Sequence, residues 1–367
     1  MRLRFWIVGG GTGGHVYPAL AVAQALRAVD PTVTLTWIGD QGGMTEGLVA
    51  RAGLPFLGIP AGGMHGVGLS RALRNVWRLA QGLLASWRAL RSERPAALLT
   101  TGGYVSGPVA VAAWLRRVPI LLFLPDIEPG QSFRFIGRLA ARIGVTVEDS
   151  RAFFPAHKVV VTGYPLRAEV TRWERATARQ TLGLSSDEAV LLVFGGSRGA
   201  RSINRALLAH LSELLAEAQV VHISGRLDWE EVAAARDTLP ETLRARYHPF
   251  PYLHEEMGAA LASADVVVSR AGASVLGEFP YFGLPAILVP YPYAWRYQKI
   301  NAEWLARRGA ALVVKDAQLP ERLVPTVRDL LNDEAQRVVM AEAARSLARP
   351  DAAQQLANLL LSLGKVV

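Results

Sequence analysis

Cysteine is absent from the chain, which excludes disulfides, zinc–thiolate centres and a cysteine nucleophile. The string G-x-x-x-x-G-K-S/T does not occur either, so the phosphate-cradling loop of P-loop nucleotidases is missing. His, Asp and Glu do not recur at metal-ligand spacing, and no resident metal or cofactor is expected. Long apolar runs are lacking. The longest uncharged window, residues 96–115, is broken by Gly102-Gly103 and Gly107-Pro108, so it reads as strand, loop and helix rather than a membrane span. Residues 1–4 are basic, but the apolar run after them is too short for a secretory signal, and none is expected. There is no low-complexity segment and no heptad repeat.

Acidic residues are scarce in the first part of the chain. Residues 1–165 hold 17 Lys and Arg against 8 Asp and Glu, while the remainder holds 23 of each sign, so the net charge of +9 falls in the first half. A one-sided surplus of this kind points to an anionic partner, either a membrane face or nucleic acid. At 367 residues, 51% hydrophobic with 34 Gly and 21 Pro, the chain exceeds what one core usually supports, and two globular α/β domains are expected.

The chain is organised around Gly9, Gly10, Gly11, Thr12, Gly13, Gly14 and His15, which follow the apolar run 3–8 and precede Val16, Leu20, Val22 and Leu26 at helical spacing. Strand, glycine loop and helix is the device that brings bare N–H groups to a phosphate at a helix N-terminus. Gly9, Gly11 and Gly14 also fit G-x-G-x-x-G. A dinucleotide cofactor calls for an acid about 20 positions further on, and Asp40 lies 26 positions after Gly14, which counts against that reading. Residues 96–101 and 118–124 read as further strands, each running into a loop, 102–108 and 125–130. Three loops thus gather at the strand ends where open α/β sheets bind ligands.

Residues 69–94 alternate an apolar stripe (Leu69, Leu73, Val76, Trp77, Ala80, Leu83, Leu84, Trp87) with arginines (Arg71, Arg74, Arg78, then Arg88, Arg91, Arg94). This is either a core-packing helix with a solvated basic face or an element that touches anionic lipid. From residue 189 the design repeats: strand 189–194, loop 195–200, one helix over 203–215, then strands at 220–223, 266–268 and 285–290 and helices opening near 274 and 298. The expected division is 1–162, 163–340, and a helical segment 341–367 that packs back on the first domain. Two Rossmann-like halves facing across a cleft is the expected α/β architecture.

His15 is either a helix-start histidine that hydrogen-bonds its loop or a general base kept neutral by the helix N-terminus. Glu278, on an otherwise small and apolar helix, is a surface charge or an acceptor for sugar hydroxyls. Arg167 and Arg270 either neutralise a diphosphate or form structural ion pairs. Gly195, Ser197 and Gly199 fit G-x-S-x-G, a nucleophile elbow, but serve equally as a phosphate loop.

Taken together, residues 10–21, 102–108 (GGYVSGP), 195–200 with Asn204, 270–278 with Gly283-Leu284-Pro285, and Gln298 with Asn301 resemble the MurG family. These are the glycosyltransferases of family 28 that make lipid II in bacterial wall synthesis, and the resemblance spans essentially the whole chain. It implies a GT-B fold, UDP-GlcNAc as donor and lipid I (undecaprenyl-pyrophosphoryl-MurNAc-pentapeptide) as acceptor. It further implies inversion at the anomeric carbon, no cofactor, and a peripheral position on the anionic cytoplasmic face of the cell membrane. Other wall-synthesis proteins are implied as partners, and nucleic acid is not.

Carried over, Thr12, Gly13, Gly14 and Tyr104 face the acceptor diphosphate or the transferred sugar, and His15 is the candidate base. Arg167, Ser197 and Gln298 contact the donor, with Asn204 and Asn301 in the same motifs. His254 lends backbone to the uracil. Ala273, Ser274, Val275, Leu276, Gly277 and Glu278 open a helix toward the donor, Glu278 taking the ribose. The chain departs from the family at Phe123-Leu124-Pro125-Asp126, where His-Glu-Gln-Asn is usual, leaving Asp126 as the sugar contact. It departs again at Arg198 (for Gln), Val275 (for Thr) and Trp295-Arg296. A related transferase with another sugar or lipid acceptor, such as diacylglycerol, and a non-catalytic nucleotide-sugar-binding protein are the alternatives.

Overall fold

The computed structural model describes residues 2–11, 13–41, 45–62, 69–196, 199–293 and 296–365, with the side chains of 69–74 outside the description. Thr12, Ser197, Arg198 and Trp295 of the expected site therefore lie outside the described residues.

The chain divides into two compact units, Met1–Arg167 with Pro350–Val367, and Ala168–Arg349. The first is built from β1 (Arg4–Val8), α1 (Gly13–Val29), β2 (Thr34–Asp40), α2 (Thr45–Arg51), β3 (Phe56–Ile59), α3 (Leu69–Ser92), β4 (Ala97–Thr100), α4 (Ser106–Leu115), β5 (Ile120–Leu124), α5 (Gln131–Leu139), β6 (Arg142–Val145) and β7 (Val159–Val161). Its strands form one parallel sheet in the order β3-β2-β1-β4-β5-β6-β7. Such strands are covered on both faces, and residues 5–8 of β1 and all of β5 accordingly read as unbroken apolar runs. Phe5, Trp6, Ile7, Leu121, Leu122 and Phe123 are fully buried.

The second unit holds α6 (Ala168–Thr171), α7 (Arg175–Thr181), β8 (Val190–Phe194), α8 (Arg201–Ala209), α9 (Leu211–Glu217), β9 (Gln219–Ile223), α10 (Trp229–Asp237), α11 (Glu241–Arg244), β10 (Tyr247–Phe250), α12 (Met257–Ser263), β11 (Val266–Ser269), α13 (Val275–Phe282), β12 (Ala286–Leu288), α14 (Tyr297–Arg307), β13 (Ala311–Val313), α15 (Leu319–Asn332) and α16 (Glu334–Ser346). Its sheet is also parallel, in the order β10-β9-β8-β11-β12-β13. The single helix expected over 203–215 is two, because His210 leaves helical geometry at φ −124°, ψ 21°.

The last helix, α17 (Ala352–Lys365), packs within the first unit on α1, β4 and β5. Glycines allow the close approach: a Cβ on Gly364 would stand 2.7 Å from the Phe5 ring, and one on Gly144 would stand 2.5 Å from Leu356.

The unit boundaries fall later than the expected 162/163 and 340/341. Residues 163–167 belong to the first unit because the buried Tyr164 meets Phe123 edge-on at 6.1 Å and the Arg167 guanidinium lies 4.3 Å over the Tyr17 ring. Residues 341–349 stay with the second because α16 runs unbroken across the expected boundary to Ser346, with Arg345 packed against Gly283.

The amphipathic α3 turns the other way from a simple core helix. Its buried seam is Gly82, Ser86 and Leu90, where a Cβ on Gly82 would stand 2.3 Å from the Pro60 carbonyl. Small residues set that approach, and much of the apolar stripe faces solvent: Val76 is 51%, Trp77 65% and Leu84 49% exposed.

Candidate active site

Each sheet reverses its strand order once, between β1 and β4 in the first unit and between β8 and β11 in the second. The loops leaving two such strands diverge and open a crevice, the usual ligand position in open α/β sheets. In both units these are the glycine loops singled out by the sequence.

In the first unit the two loops lie backbone against backbone. Gly103, at φ +94°, has no room for a side chain, since a Cβ there would stand 2.6 Å from the Gly10 carbonyl oxygen. Gly102, at φ +104°, is closed in by the Phe133 and His15 rings. A relay of hydroxyls holds the second loop: Thr100 Oγ1 donates to Ser106 Oγ at 2.8 Å, and Ser106 Oγ donates to the Gly102 carbonyl at 2.7 Å. Thr101 Oγ1 ties the loops together by donating to the His15 carbonyl at 2.6 Å.

His15 sits in the first turn of α1, two residues after the helix begins at Gly13, with its ring 6.2 Å from Phe133. Burial lowers its pKa below the ordinary 6.5, and a hydrogen bond to the Gly10 backbone acts more weakly the other way. The imidazole is therefore neutral at pH 7 and able to accept a proton. The N–H groups of Gly13 and Gly14 lie in the same first turn, where a helix leaves them without intrahelical partners. Tyr104, 56% exposed, lines a small cavity together with Gly10 and Gly11.

Asp126 is half-buried in the loop after β5. Thr146 Oγ1 fixes that loop by donating to the Leu124 and Pro125 carbonyls (3.1 and 2.8 Å), and Ser150 Oγ donates to Ile127 at 2.8 Å. Arg167, at the end of the unit, is oriented by the Tyr17 ring.

In the second unit Gly195 and Gly199 fold the loop after β8 tightly, Gly199 at φ +75° lying against the Ser224 carbonyl, which a Cβ would meet at 2.3 Å. Asn204 was expected at the donor, but it is buried in a polar network instead. Its amide donates to the Ser224 carbonyl (2.8 Å) and to Asp228 Oδ2 (2.9 Å), and its Oδ1 lies 3.0 Å from His222 Nε2. With that amide already donating, the Asn204 oxygen accepts from His222 Nε2–H, which leaves Nδ1 to accept from Tyr247 Oη at 2.7 Å. Burial pushes His222 down to about 3 and raises Tyr247, so the network is neutral at its centre.

Asn301 is likewise a brace rather than a ligand group. It is fully buried, with Nδ2 donating to the Ala271 carbonyl at 3.2 Å. Arg270 resolves as a structural ion pair: it meets Asp316 Oδ1 at 2.5 Å and donates to Ser202 Oγ at 2.7 Å and to the Val289 carbonyl at 3.1 Å. These bonds tie the loop after β11 to the start of α8.

At the start of α13 the side chains of Val275 and Leu276 are buried in the core, whereas Gly277 and Glu278, and Ala273 and Ser274 just before the helix, are half-buried. Val275 and Leu276 can therefore offer a ligand only their backbone, and Glu278 stands on the accessible side. Gln298 spends its Oε1 on the Tyr291 N–H at 2.9 Å, steadying the segment before α14. His254, edge-on to Tyr252 at 4.7 Å, is half-buried in the turn after β10.

Two residues escaped the sequence reading. In the sequence Thr101 reads as the end of a strand, and Asp40 only as an acid too far from Gly14 for a dinucleotide site. Asp40 is nonetheless the last residue of β2, next to the first glycine loop.

The model of the glycosyltransferase family 28 N-terminal domain matches residues 5–145, and that of the C-terminal domain matches residues 190–356. The chain belongs to glycosyltransferase family 28. This transferase is 43% identical to the UDP-N-acetylglucosamine–N-acetylmuramyl-(pentapeptide) pyrophosphoryl-undecaprenol N-acetylglucosamine transferase of Roseiflexus sp. (strain RS-1), over 98% of this chain and 95% of that protein. It is 39% identical to the protein of the same name from Moorella thermoacetica, over 98% of each. Among solved structures, that of Acinetobacter baumannii MurG matches the transferase with a TM-score of 0.74 at 27% identity, over 99% of this chain and all of that one. The two parallel-sheet units are those of the GT-B fold. At the departure noted above, Phe123 of the transferase is a core residue packed on Tyr164, so that position carries no polar group to a ligand.

Proposed function

We propose that this chain transfers GlcNAc from UDP-GlcNAc to the lipid-linked MurNAc-pentapeptide named in its relatives, with inversion at the anomeric carbon. The observation that carries the reading is His15, a neutral base at the head of α1 where two glycine loops meet. In this reading His15 takes the proton of the acceptor hydroxyl as its oxygen bonds to the anomeric carbon. The bond to the UDP oxygen breaks and its electron pair leaves with UDP. First-turn N–H groups of α1 receive the acceptor diphosphate, and those opening α13 meet the charge of UDP. Glu278 accepts from the ribose hydroxyls. Labelled GlcNAc should pass from UDP-GlcNAc to a short-chain lipid-linked acceptor, and not from UDP-GalNAc or UDP-Glc. Donor binding without transfer would instead identify a different acceptor.

The enzyme acts from the membrane surface, on the cytoplasmic face. Among the described residues no helix is long and apolar enough to cross a membrane. The first unit exposes Val76, Trp77 and Leu84 on α3 and Trp114 and Leu115 at the end of the adjacent α4, flanked by exposed Arg78, Arg88, Arg91, Arg94 and Arg117. Aromatic anchors beside arginines suit an anionic interface. The native enzyme should sediment with phosphatidylglycerol vesicles and be released by salt. The double variant Trp77→Glu, Trp114→Glu should stay in the supernatant while retaining transfer in detergent; unchanged sedimentation would place the contact elsewhere.

A further inference from the structure

Asp40 closes β2 with its carboxylate turned toward the first glycine loop, where a Cβ on Gly10 would stand 2.9 Å from Oδ1. That oxygen is shut off from solvent and has no hydrogen-bond partner among the described residues. An unpaired buried carboxylate oxygen is costly in the free protein, and natural structures keep such groups where a ligand or water completes them. Beside it lies a cavity of about 30 Å³ lined by Gly10, Gly11, Asp40, Ala61, Tyr104 and Val105. Gly11 and Tyr104 are exposed and form its mouth, while Ala61 and Val105 make its walls apolar.

These features narrow the occupant. The space admits a single hydroxyl or amide group. A carboxylate rejects a second anion, so the acceptor diphosphate does not enter, and the apolar walls offer nothing further to a polar guest. The end of the second strand, beside a glycine loop and a helix start, is also where dinucleotide-binding sheets keep an acid for a ribose hydroxyl. Here Asp40 holds that sheet position 26 residues after Gly14.

We infer that Asp40 is a specificity residue for the acceptor: its half-buried carboxylate accepts a hydrogen bond from a hydroxyl or amide N–H of the acceptor sugar, which enters past Gly11 and Tyr104. The inference rests on the proposed transfer reaction. It divides acceptor recognition between loop N–H groups, which hold the negative diphosphate, and one carboxylate, which holds a neutral donor on the sugar.

Asp40→Ala and Asp40→Asn test it in the full-length enzyme. The alanine variant should raise the acceptor KM about tenfold, the scale of one lost hydrogen bond to a charged group. The asparagine variant, which keeps an accepting oxygen, should raise it less. The KM for UDP-GlcNAc should hold in both. The melting temperature of the alanine variant should be unchanged or higher, because it removes an unsatisfied group from the free protein. An unchanged acceptor KM overturns the inference and leaves the transfer reaction standing, whereas absence of transfer by the native enzyme overturns the reaction itself. A lowered melting temperature with a proportionate loss toward both substrates would make Asp40 structural. An acceptor KM that responds to Mg²⁺ only when Asp40 is present would make the cavity a cation site.

Discussion

His15→Ala is expected to lower kcat by about two to four orders of magnitude, the usual contribution of a positioned proton acceptor. The KM for UDP-GlcNAc should be nearly unchanged, because the proposed donor contacts at Glu278 and α13 belong to the second unit. The pH profile carries the assignment further. A base works only unprotonated, and burial holds His15 below its ordinary 6.5. The native rate should therefore be flat through neutrality and fall as the pH drops through the lowered value, with the acid limb lying below 6.5. In the alanine variant that limb should vanish along with most of the rate. An acid limb that survives the substitution would assign proton removal to another group.

Gly103→Ala should disable the acceptor side without touching a single proposed ligand group. The added Cβ would meet Gly10 at 2.6 Å from its oxygen and 3.0 Å from its nitrogen and carbonyl carbon. All three are main-chain atoms, so no side-chain rotation relieves the clash, and the φ of +94° is itself unfavourable for alanine. Backbone strain of this kind costs about 1–3 kcal/mol, and a domain of this size loses about 2–4 °C of melting temperature for each kcal/mol. The loops must part, and His15, tied to the second loop through Thr101, moves with them. Since a displacement of about 1 Å at a reacting group costs on the order of 100-fold in rate, kcat/KM for the acceptor should fall by about that factor. Gly107 is the control: a Cβ there meets nothing within 4 Å, and Gly107→Ala should behave as wild type. Equal loss in both variants would refute the role given to loop contact.

The parts legible in the sequence are those in which local chemistry and position agree. Runs such as 5–8 and 190–194 are apolar throughout because parallel strands are buried on both faces, and the glycine loops follow them directly. Periodicity displayed the two-sided character of α3 but not its orientation. The seam is chosen by what its neighbours admit, and Gly82 and Ser86 admit a backbone where leucine does not. Asn204 and Asn301 enter the expected site only as members of the motifs that carry the family resemblance. A side chain that props a loop and one that reaches past it have the same sequence signature, and only burial separates them. The unit boundary was similarly hidden in Tyr164 and Arg167, whose aromatic partners are remote in sequence.

The return of α17 to the first unit has a consequence for how the protein is made. The helix covers part of α1, β4 and β5, and its Leu360 and Leu361 are buried there, so residues 1–167 alone leave that stretch of α1 and of the sheet uncovered. The half of the enzyme synthesised first is the half completed last. Until residue 352 and its followers leave the ribosome, the nascent chain carries the proposed base on α1, a helix whose own apolar partner is still missing.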